Sequence, residues 1–305
     1  MSASVAAGRR SRILVVAPPF LWLALFFLAP FAMVLRISLS EPAIAQPPYR
    51  PHFPWSLEPE AWRPVLETLG LENYRTLLAD ALYRDAALSS FGLAATSTVL
   101  LLFLGYPIAL AMARASSSWR PILVGLVIVP FWTSLLIRVY AWMAILSPEG
   151  FLNRALLGLG IVEQPLQILN TNAAILIGIV YSYLPFMILP LYASLERQDP
   201  TLVEAASDLG ASRLKAFWTV TVPLSMSGIV AGTLLCFIPI VGEFIVPDLL
   251  GGSETLMLGR TLWSEFFSNR DWPLASAVAV VMTILLVGPI VAYRNAEARR
   301  LEPRA

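Results

Sequence analysis

Long apolar runs separated by shorter polar segments set the hydrophobic pattern of this chain. An α-helix needs about 20 predominantly apolar residues to cross the hydrocarbon core of a bilayer. Six segments approach that length and are predicted to be membrane-spanning helices, namely residues 13–39, 88–113, 121–146, 172–195, 223–247 and 274–294. The pattern predicts an all-α membrane protein in which residues 1–305 form a single transmembrane domain.

The polar segments between these spans differ in length and character. Residues 41–87 form the largest, and helical spacing from Leu71 to Leu82 predicts a helix lying along the membrane surface. The segment after the third span opens with a turn at residues 147–150 and continues with apolar residues at helical spacing. Residues 196–222 lie between the fourth and fifth spans and are referred to below as the elbow.

The elbow carries the start and stop signals of two short helices. Asp199 is predicted to cap the first helix, and Glu204 falls near the positive end of its dipole. Gly210 is predicted to end that helix, because the residue just past a helix often needs positive φ. Ser212 is predicted to cap a second helix that runs to Pro223. Two helices joined at a glycine and projecting from a membrane offer a surface to a soluble partner.

Composition supports the same class independently. Of 305 residues, 57% are hydrophobic and 13% are charged. A soluble domain carries about 25% charged residues, so this balance indicates a polytopic membrane protein with lipid as a partner. The net charge of +1, without a basic stripe interleaved with aromatic residues, indicates no nucleic-acid partner.

The distribution of basic residues predicts the orientation. An even number of spans places both termini on one side, and that side also carries the elbow. Basic residues concentrate there, at Arg9, Arg10, Arg12, Arg114, Arg120, Arg197, Arg213, Lys215, Arg294, Arg299, Arg300 and Arg304. The positive-inside rule therefore predicts that both termini and the elbow are cytoplasmic and that residues 41–87 are periplasmic.

Residues for common catalytic chemistry are scarce. The single cysteine, Cys236, lies in the fifth span, and the single histidine, His52, lies in an outer loop. These two residues leave no zinc site of usual spacing, and the chain has no nucleophile elbow and no phosphate-binding loop. We therefore expect no catalytic residue, no metal ligand and no cofactor in this chain, and any ATP must be hydrolysed by another chain.

Charged side chains within the spans are candidate functional groups, because burial in lipid costs several kcal/mol without a partner or cavity. Glu243 lies in a segment rich in proline and glycine, which predicts a broken helix. It either attracts a cation on a translocation path, or it pairs with Arg138 or caps the broken helix. Arg138 either faces inward or extends to the outer interface. Asp248 is either a site residue or part of a helix end and turn.

Three aromatic residues also have two interpretations. Trp132, Tyr181 and Tyr183 either stack on an organic cation or belong to the aromatic belt at the membrane interface. Two other protein classes remain open at this level. A secondary transporter would use Glu243 and Asp248 as ion carriers but leaves the elbow unexplained, and an intramembrane enzyme lacks a visible catalytic pair.

The elbow resembles a known motif. Glu204, Ala205 and Ala206 are followed by three residues and Gly210, then by nine residues and the sequence Val220-Thr221-Val222-Pro223. This arrangement resembles the cytoplasmic coupling motif of permease subunits in bacterial ABC importers. The chain departs from that motif in having Val222 where leucine is commoner, which preserves the apolar character.

Further segments narrow the resemblance. Residues 131–143, 242–252 and 266–273 resemble the polyamine permeases, most closely those of putrescine importers, and the similarity extends from about residue 13 to residue 294. The resemblance implies a permease that moves a polyamine, with putrescine preferred, into the cytoplasm. Importers of spermidine, phosphonates and ferric iron share much of this layout and are the alternative cargoes.

The resemblance also implies an assembly. It implies a type I ABC importer permease in the bacterial inner membrane, with a second homologous permease and a periplasmic polyamine-binding protein. Two ATPase copies would bind ATP and Mg²⁺, and the elbow would dock in a groove of one of them. In this arrangement Gly210 sets the bend, Ala205 and Ala206 allow close approach, and Glu204 and Asp208 supply polar contacts.

Overall fold

The computed structural model describes residues 15–52, 60, 63, 68–252 and 255–301. The regular secondary structure of these residues is helical apart from one antiparallel hairpin, in which β1 (Glu41–Pro42) pairs with β2 (Tyr49–Arg50). Arg9, Arg10, Arg12 and Arg304 lie outside the described residues. So do residues 53–59, 61–62 and 64–67 of the predicted periplasmic segment.

The helices follow the order of the predicted segments. In chain order they are α1 (Val15–Ser38), α2 (Glu72–Ala79), α3 (Ala81–Arg114), α4 (Arg120–Ile128, continued by a 3₁₀ turn at Val129–Trp132), α5 (Leu135–Leu146), α6 (Phe151–Gly158), α7 (Asn172–Leu195), α8 (Thr201–Asp208), α9 (Arg213–Leu224), α10 (Met226–Val241), α11 (Ile245–Leu250), α12 (Leu258–Trp263, continued by a π turn at Ser264–Ser268) and α13 (Trp272–Leu301).

The chain divides into two compact units. The first comprises residues 1–84 and 262–305, and in it α1 and α2 both pack against α13. The buried Asn73 amide donates to the carbonyls of Ser38 and Ser40, at 2.9 and 2.8 Å, and ties α2 to the end of α1. The Tyr83 hydroxyl donates to Glu265 at 2.9 Å. These hydrogen bonds join α2 to the end of α1, and the start of α3 to the π turn after α12.

The second unit comprises residues 85–261 and contains the elbow. Its centre is the packing of α7 against α10. Gly228 lies so close to α7 that a Cβ there would be 2.7 Å from the carbonyl oxygen of Pro190, and one at Gly232 would be 2.8 Å from the sulfur of Met187. Small residues thus let these two helices approach at backbone distance, as membrane helices commonly do.

Among the described residues, four helices are long and apolar enough to cross a membrane. They are Val15–Ser38, Ala81–Arg114, Leu135–Gly158 with its internal turn, and Asn172–Leu195, and the bent pair α9 and α10 makes a fifth if counted as one span. Arg120–Trp132 and Trp272–Gly288 are shorter apolar helices. All six segments predicted to span are helical, whereas the number of spans remains a prediction.

The third predicted segment, residues 121–146, is interrupted rather than continuous. Thr133 and Ser134 are extended, with ψ of 145° and 138°, and they separate α4 from α5. The Thr133 hydroxyl donates to the carbonyl of Pro130 at 2.8 Å. The high average hydrophobicity of the segment led to its prediction as one span, although Thr133 and Ser134 can compete with a helix through their side-chain hydroxyls.

The helix expected along residues 71–82 is also divided. Asp80 is extended, with ψ of 124°, so that α2 ends at Ala79 and α3 begins at Ala81. The Asp80 carboxylate accepts from the backbone N–H of Leu82 at 2.9 Å and caps α3. As a result, the second apolar helix begins seven residues before the predicted boundary at residue 88.

Candidate functional site

The first helix of the elbow, α8, begins as its sequence predicts. The Asp199 carboxylate accepts from the backbone N–H of Thr201 at 3.0 Å, and this donation holds the pKa of Asp199 below its ordinary value. Glu204 lies in the first turn, where the helix dipole favours a negative charge. Ala205 and Asp208 are exposed, and Ala206 is half-buried. The helix therefore presents a small and acidic surface.

The helix ends in a left-handed turn at Gly210, as predicted. Gly210 has φ of +82°. Its N–H donates to the carbonyl of Ser207 at 2.9 Å, and the N–H of Ala211 donates to that of Ala206 at 3.0 Å. This pair of bonds is the Schellman arrangement, which satisfies the last carbonyls of a helix and reverses the chain. The preceding Leu209 is 90% exposed, so the tip of the elbow is apolar.

The second helix, α9, starts at the predicted cap. The Ser212 hydroxyl accepts from the backbone N–H of Lys215 at 3.3 Å. The helix passes through a π turn at Phe217–Thr221 and meets α10 at an angle of 66°. The chain thus changes direction twice. It turns at Gly210 within the elbow, and again at Ser225 just after the elbow, where α9 meets α10.

A cavity of about 730 Å³ lies between the elbow and the ends of α3 and α4. Pro200, Val203, Glu204 and Ser207 line it at helical spacing, so one face of α8 is turned toward the cavity. Across the cavity, Arg120 pairs with Glu196 at 3.3 Å. The elbow is therefore set off from the membrane helices by open space over much of its inner face.

Glu243 lies where the fifth predicted segment breaks. Helix α10 ends at Val241, and α11 begins at Ile245, which confirms the predicted interruption. Glu243 as a residue is 8% exposed. One of its carboxylate oxygens accepts from the backbone N–H of Ile245 at 3.1 Å, and the other accepts from the Tyr183 hydroxyl at 2.6 Å. Both oxygens thus have hydrogen-bond partners, and one of them caps α11.

Arg138 has an aromatic neighbour. Its guanidinium carbon lies 5.4 Å from the centroid of the Phe131 ring, and its Nε and Nη1 are buried without a hydrogen-bond partner among the described residues. Phe131 packs edge-on against Phe186 at 4.9 Å, and Phe186 contacts Tyr183 at 5.9 Å. The rings form a chain from Arg138 to the partner of Glu243. Phe131 and Phe186 were missed from sequence, where single phenylalanines in apolar runs carry no distinguishing signal.

The remaining candidates do not come together. Tyr181 packs against Trp142 at 5.4 Å, while Tyr183 contacts Glu243. Residues two apart on a helix point about 160° from each other, which explains the separate contacts. Trp132 is 84% exposed, so these three aromatics do not form one cage in this chain. Asp248 lies 3.3 Å from the Arg260 guanidinium, which also donates to the carbonyl of Gly252 at 2.9 Å, in a helix end and turn.

The described residues contain no cluster of three or more histidine, cysteine, aspartate or glutamate side chains placed to hold a metal ion. The two polar features of this unit that bear on function are the exposed elbow and the buried pair of Glu243 and Tyr183.

The chain is similar in sequence to known transport proteins. The chain is 40% identical over 281 residues to the spermidine/putrescine transport system permease protein PotB of Haemophilus influenzae, covering 92% of each chain. It is 44% identical over 226 residues to PotB of Escherichia coli, covering 74% of this chain and 82% of that protein.

The fold has solved counterparts at lower identity. A bacterial ABC transporter involved in the import of the acidic polysaccharide alginate aligns with a TM-score of 0.68 and 17% identity, covering 98% of both chains. The elbow, the buried carboxylate and the broken helices thus occur on a known transporter fold. Residues 105–301, more than half of the chain, match the family of binding-protein-dependent transport system inner membrane components. The chain belongs to this family, and is therefore a transport subunit of the inner membrane and not an enzyme.

Proposed function

We propose that this chain is the permease subunit of an ATP-driven importer that moves a polyamine into the cytoplasm. The exposed elbow carries the proposal: a capped acidic helix, a glycine turn and an apolar tip stand away from the membrane helices. The similarity to the two PotB proteins, which are named as spermidine/putrescine permeases, supports the class of cargo.

The proposed topology has six spans with both termini and the elbow in the cytoplasm. Arg120–Trp132 alone would extend only about 20 Å, less than the hydrocarbon core, but together with α5 it is long enough to cross. A span broken at Thr133 and Ser134 is tolerated in a membrane where the interruption faces protein or a water-filled path. The excess of arginine at the elbow and the ends of α3 and α4 supports the orientation.

In the proposed mechanism the elbow docks in a groove of an ATPase. Two ATPase copies bind ATP and Mg²⁺, a second homologous permease completes the pathway, and a periplasmic polyamine-binding protein delivers the cargo. Ala205 and Ala206 permit close approach to the groove, Glu204 and Asp208 supply polar contacts, and Gly210 sets the angle of the tip. Closure of the ATPase pair then tilts the helices on either side of the elbow.

The proposed path for the cargo passes the buried carboxylate. Glu243 supplies the negative charge that attracts an ammonium group, and Tyr183 orients it through the 2.6 Å hydrogen bond. Arg138, held against Phe131, marks the far end of the ring chain. The outer part of the path is proposed to be lined by Trp132, Tyr181 and Asp248. The two aromatic residues are exposed, and the Asp248 side chain is half exposed.

Uptake of radiolabelled putrescine tests the proposal. The host cells lack their own polyamine importers and carry this gene with its partner genes, and a parallel strain carries an inactive ATPase. We expect uptake that depends on the ATPase. Uptake that persists with the inactive ATPase contradicts the proposed mechanism and supports a secondary transporter.

Excess unlabelled spermidine distinguishes the polyamines. Weak inhibition supports putrescine as the preferred cargo, whereas strong inhibition with direct uptake of labelled spermidine supports a spermidine permease. Absence of uptake for both labelled polyamines in cells that contain the assembled complex contradicts the polyamine proposal and leaves phosphonate or ferric iron as cargo.

A further inference from the structure

The bend between α9 and α10 is closed by a buried serine. Ser225 is fully buried, and its backbone N–H lies 3.1 Å from the carbonyls of both Thr221 and Val222. Its hydroxyl donates to the Val222 carbonyl at 2.9 Å. The bend interrupts the regular helical hydrogen bonds, and the serine hydroxyl gives the Val222 carbonyl a second donor there.

Tyr106 of α3 meets this bend from the neighbouring helix. Its hydroxyl oxygen lies 2.8 Å from the Ser225 hydroxyl oxygen, and both side chains are buried. Because Ser225 has a single hydroxyl proton and donates it to Val222, Tyr106 is the donor in this bond. The Tyr106 ring also packs edge-on against Phe217 of α9 at 5.5 Å. One side chain thus contacts both the second elbow helix and the bend.

The structure around Tyr106 limits where α9 can contact α3. Phe217 and Thr221 line the large cavity, so α9 is not packed against α3 along its whole length. The Gln198 amide donates to the Thr221 carbonyl at 3.1 Å and joins the two ends of the elbow. Pro107, next to Tyr106, leaves the carbonyl of Phe103 without its helical partner, which makes α3 easier to bend here.

We propose that Tyr106 is a positioning residue that transmits movement of the elbow to α3 by clamping the bend at Ser225. This inference rests on the proposed docking of the elbow on an ATPase. When the elbow tilts, the hydroxyl bond and the ring contact make α9, the bend and α3 move as one body. Without the hydroxyl, the elbow moves while α3 lags.

The substitution Tyr106→Phe tests the clamp. It keeps the ring against Phe217 and removes the hydrogen bond, so membrane insertion and complex assembly are expected to be unchanged. In proteoliposomes, the amount of putrescine or spermidine imported per ATP hydrolysed should fall about fivefold, the factor that one neutral hydrogen bond of about 1 kcal/mol corresponds to. An unchanged ratio overturns the proposal. Tyr140→Phe, at an exposed tyrosine of α5, is the matched control.

A double-mutant cycle isolates the bond between the two hydroxyls. Ser225→Ala removes it from the other side, together with the bond to Val222, and should lower the ratio at least as much. Combining both substitutions should lower the ratio no further than Ser225→Ala alone, because the shared bond is already lost. Fully additive losses would mean that the two side chains act separately, which overturns the clamp.

A readout that needs no cargo separates failure of the clamp from failure of the proposed function. Spin labels at Leu214→Cys on α9 and Ala111→Cys on α3, both exposed, are measured in a Cys236→Ala complex with its ATPase. The distance should stay narrowly distributed when ATP and Mg²⁺ are added, and it should broaden with Tyr106→Phe. Identical distributions overturn the clamp. Absence of polyamine uptake by the wild-type complex, with these distances as expected, counts against the cargo alone.

Discussion

The elbow and the break at Glu243 are both interruptions of helical structure next to a glycine, but they direct their polar groups in opposite ways. At the elbow the acidic side chains of Glu204 and Asp208 and the apolar tip at Leu209 are exposed. At the other break Glu243 as a residue is 8% exposed, and its carboxylate accepts hydrogen bonds from Tyr183 and from the backbone.

The elbow therefore presents free side chains to a second protein, whereas the Glu243 carboxylate is already bonded within the chain. The backbone of the elbow is satisfied by its own turns, so its exposed side chains remain available to a second protein. The carboxylate at the other break is already engaged, so any cargo must compete with Tyr183 or share the carboxylate with it. Changes at the elbow should therefore affect coupling to the ATPase, whereas changes at Glu243 should affect recognition and local stability.

The largest effect is expected for Gly210→Val. A β-branched residue is strained at φ of +82°, so the substitution should change the angle of the elbow tip. We expect at least about a tenfold loss of uptake with continued ATP hydrolysis and normal membrane insertion. The control is Gly160→Val, which places the same side chain at φ of +67° in an open turn after α6. Normal transport by Gly210→Val contradicts the assignment of the elbow.

A smaller but selective effect is expected for Glu243→Gln. The amide can still accept from the Ile245 N–H, so the cap is retained while the negative charge is lost. We expect about a tenfold rise in the KM for putrescine uptake, with the thermal stability of the complex preserved. Glu243→Ala removes the cap as well as the charge, so it should raise the KM and also lower the thermal stability. Unchanged uptake by Glu243→Gln would show that the residue only caps α11.

Tyr183→Phe tests the orienting hydrogen bond. Loss of the 2.6 Å bond leaves one carboxylate oxygen without its orienting partner. The efficiency of uptake is therefore expected to fall by about threefold to tenfold. The matched control is Tyr140→Phe, at an exposed tyrosine of α5 that lies outside the proposed path. Equal effects of the two substitutions would mean that the pair of Tyr183 and Glu243 has no particular role.

The smallest effect is expected for Ser212→Ala. Loss of the N-cap should destabilise the start of α9 by about 1 kcal/mol, because the Lys215 N–H loses its acceptor. Hydrogen exchange at residues 213–216 should become faster, with only a slight decrease in uptake. Thr219→Ala, which removes a hydroxyl bonded to the carbonyl of Lys215, is the comparison. Unchanged exchange in Ser212→Ala would contradict the capping role.

Local chemistry explains which features could be predicted. The cap at Ser212, the positive φ of Gly210 and the interruption near Glu243 were predicted because each depends on residue types within a few positions. Apolar runs likewise predicted six helical segments. The match to inner membrane transport components confirmed the class that the coupling motif suggested.

Contacts between distant segments could not be predicted in the same way. The interruption at Thr133 lies in a stretch whose average hydrophobicity still predicts one span, and the ring chain through Phe131 and Phe186 joins α7 to the 3₁₀ turn after α4. The bond between Tyr106 and Ser225 links residues 119 positions apart. Such pairs depend on how the helices pack, and one sequence does not contain that information.

The most direct test is cross-linking from the tip of the elbow. In a Cys236→Ala background, Leu209→Cys is treated with a short thiol-to-amine reagent in the assembled complex, and Leu159→Cys, at another largely exposed leucine in the loop after α6, is the comparison. We predict a product between the permease and the ATPase from position 209 and none from position 159. The account would be contradicted if position 209 gave no product with the ATPase, or if it reacted with a thiol reagent confined to the periplasm.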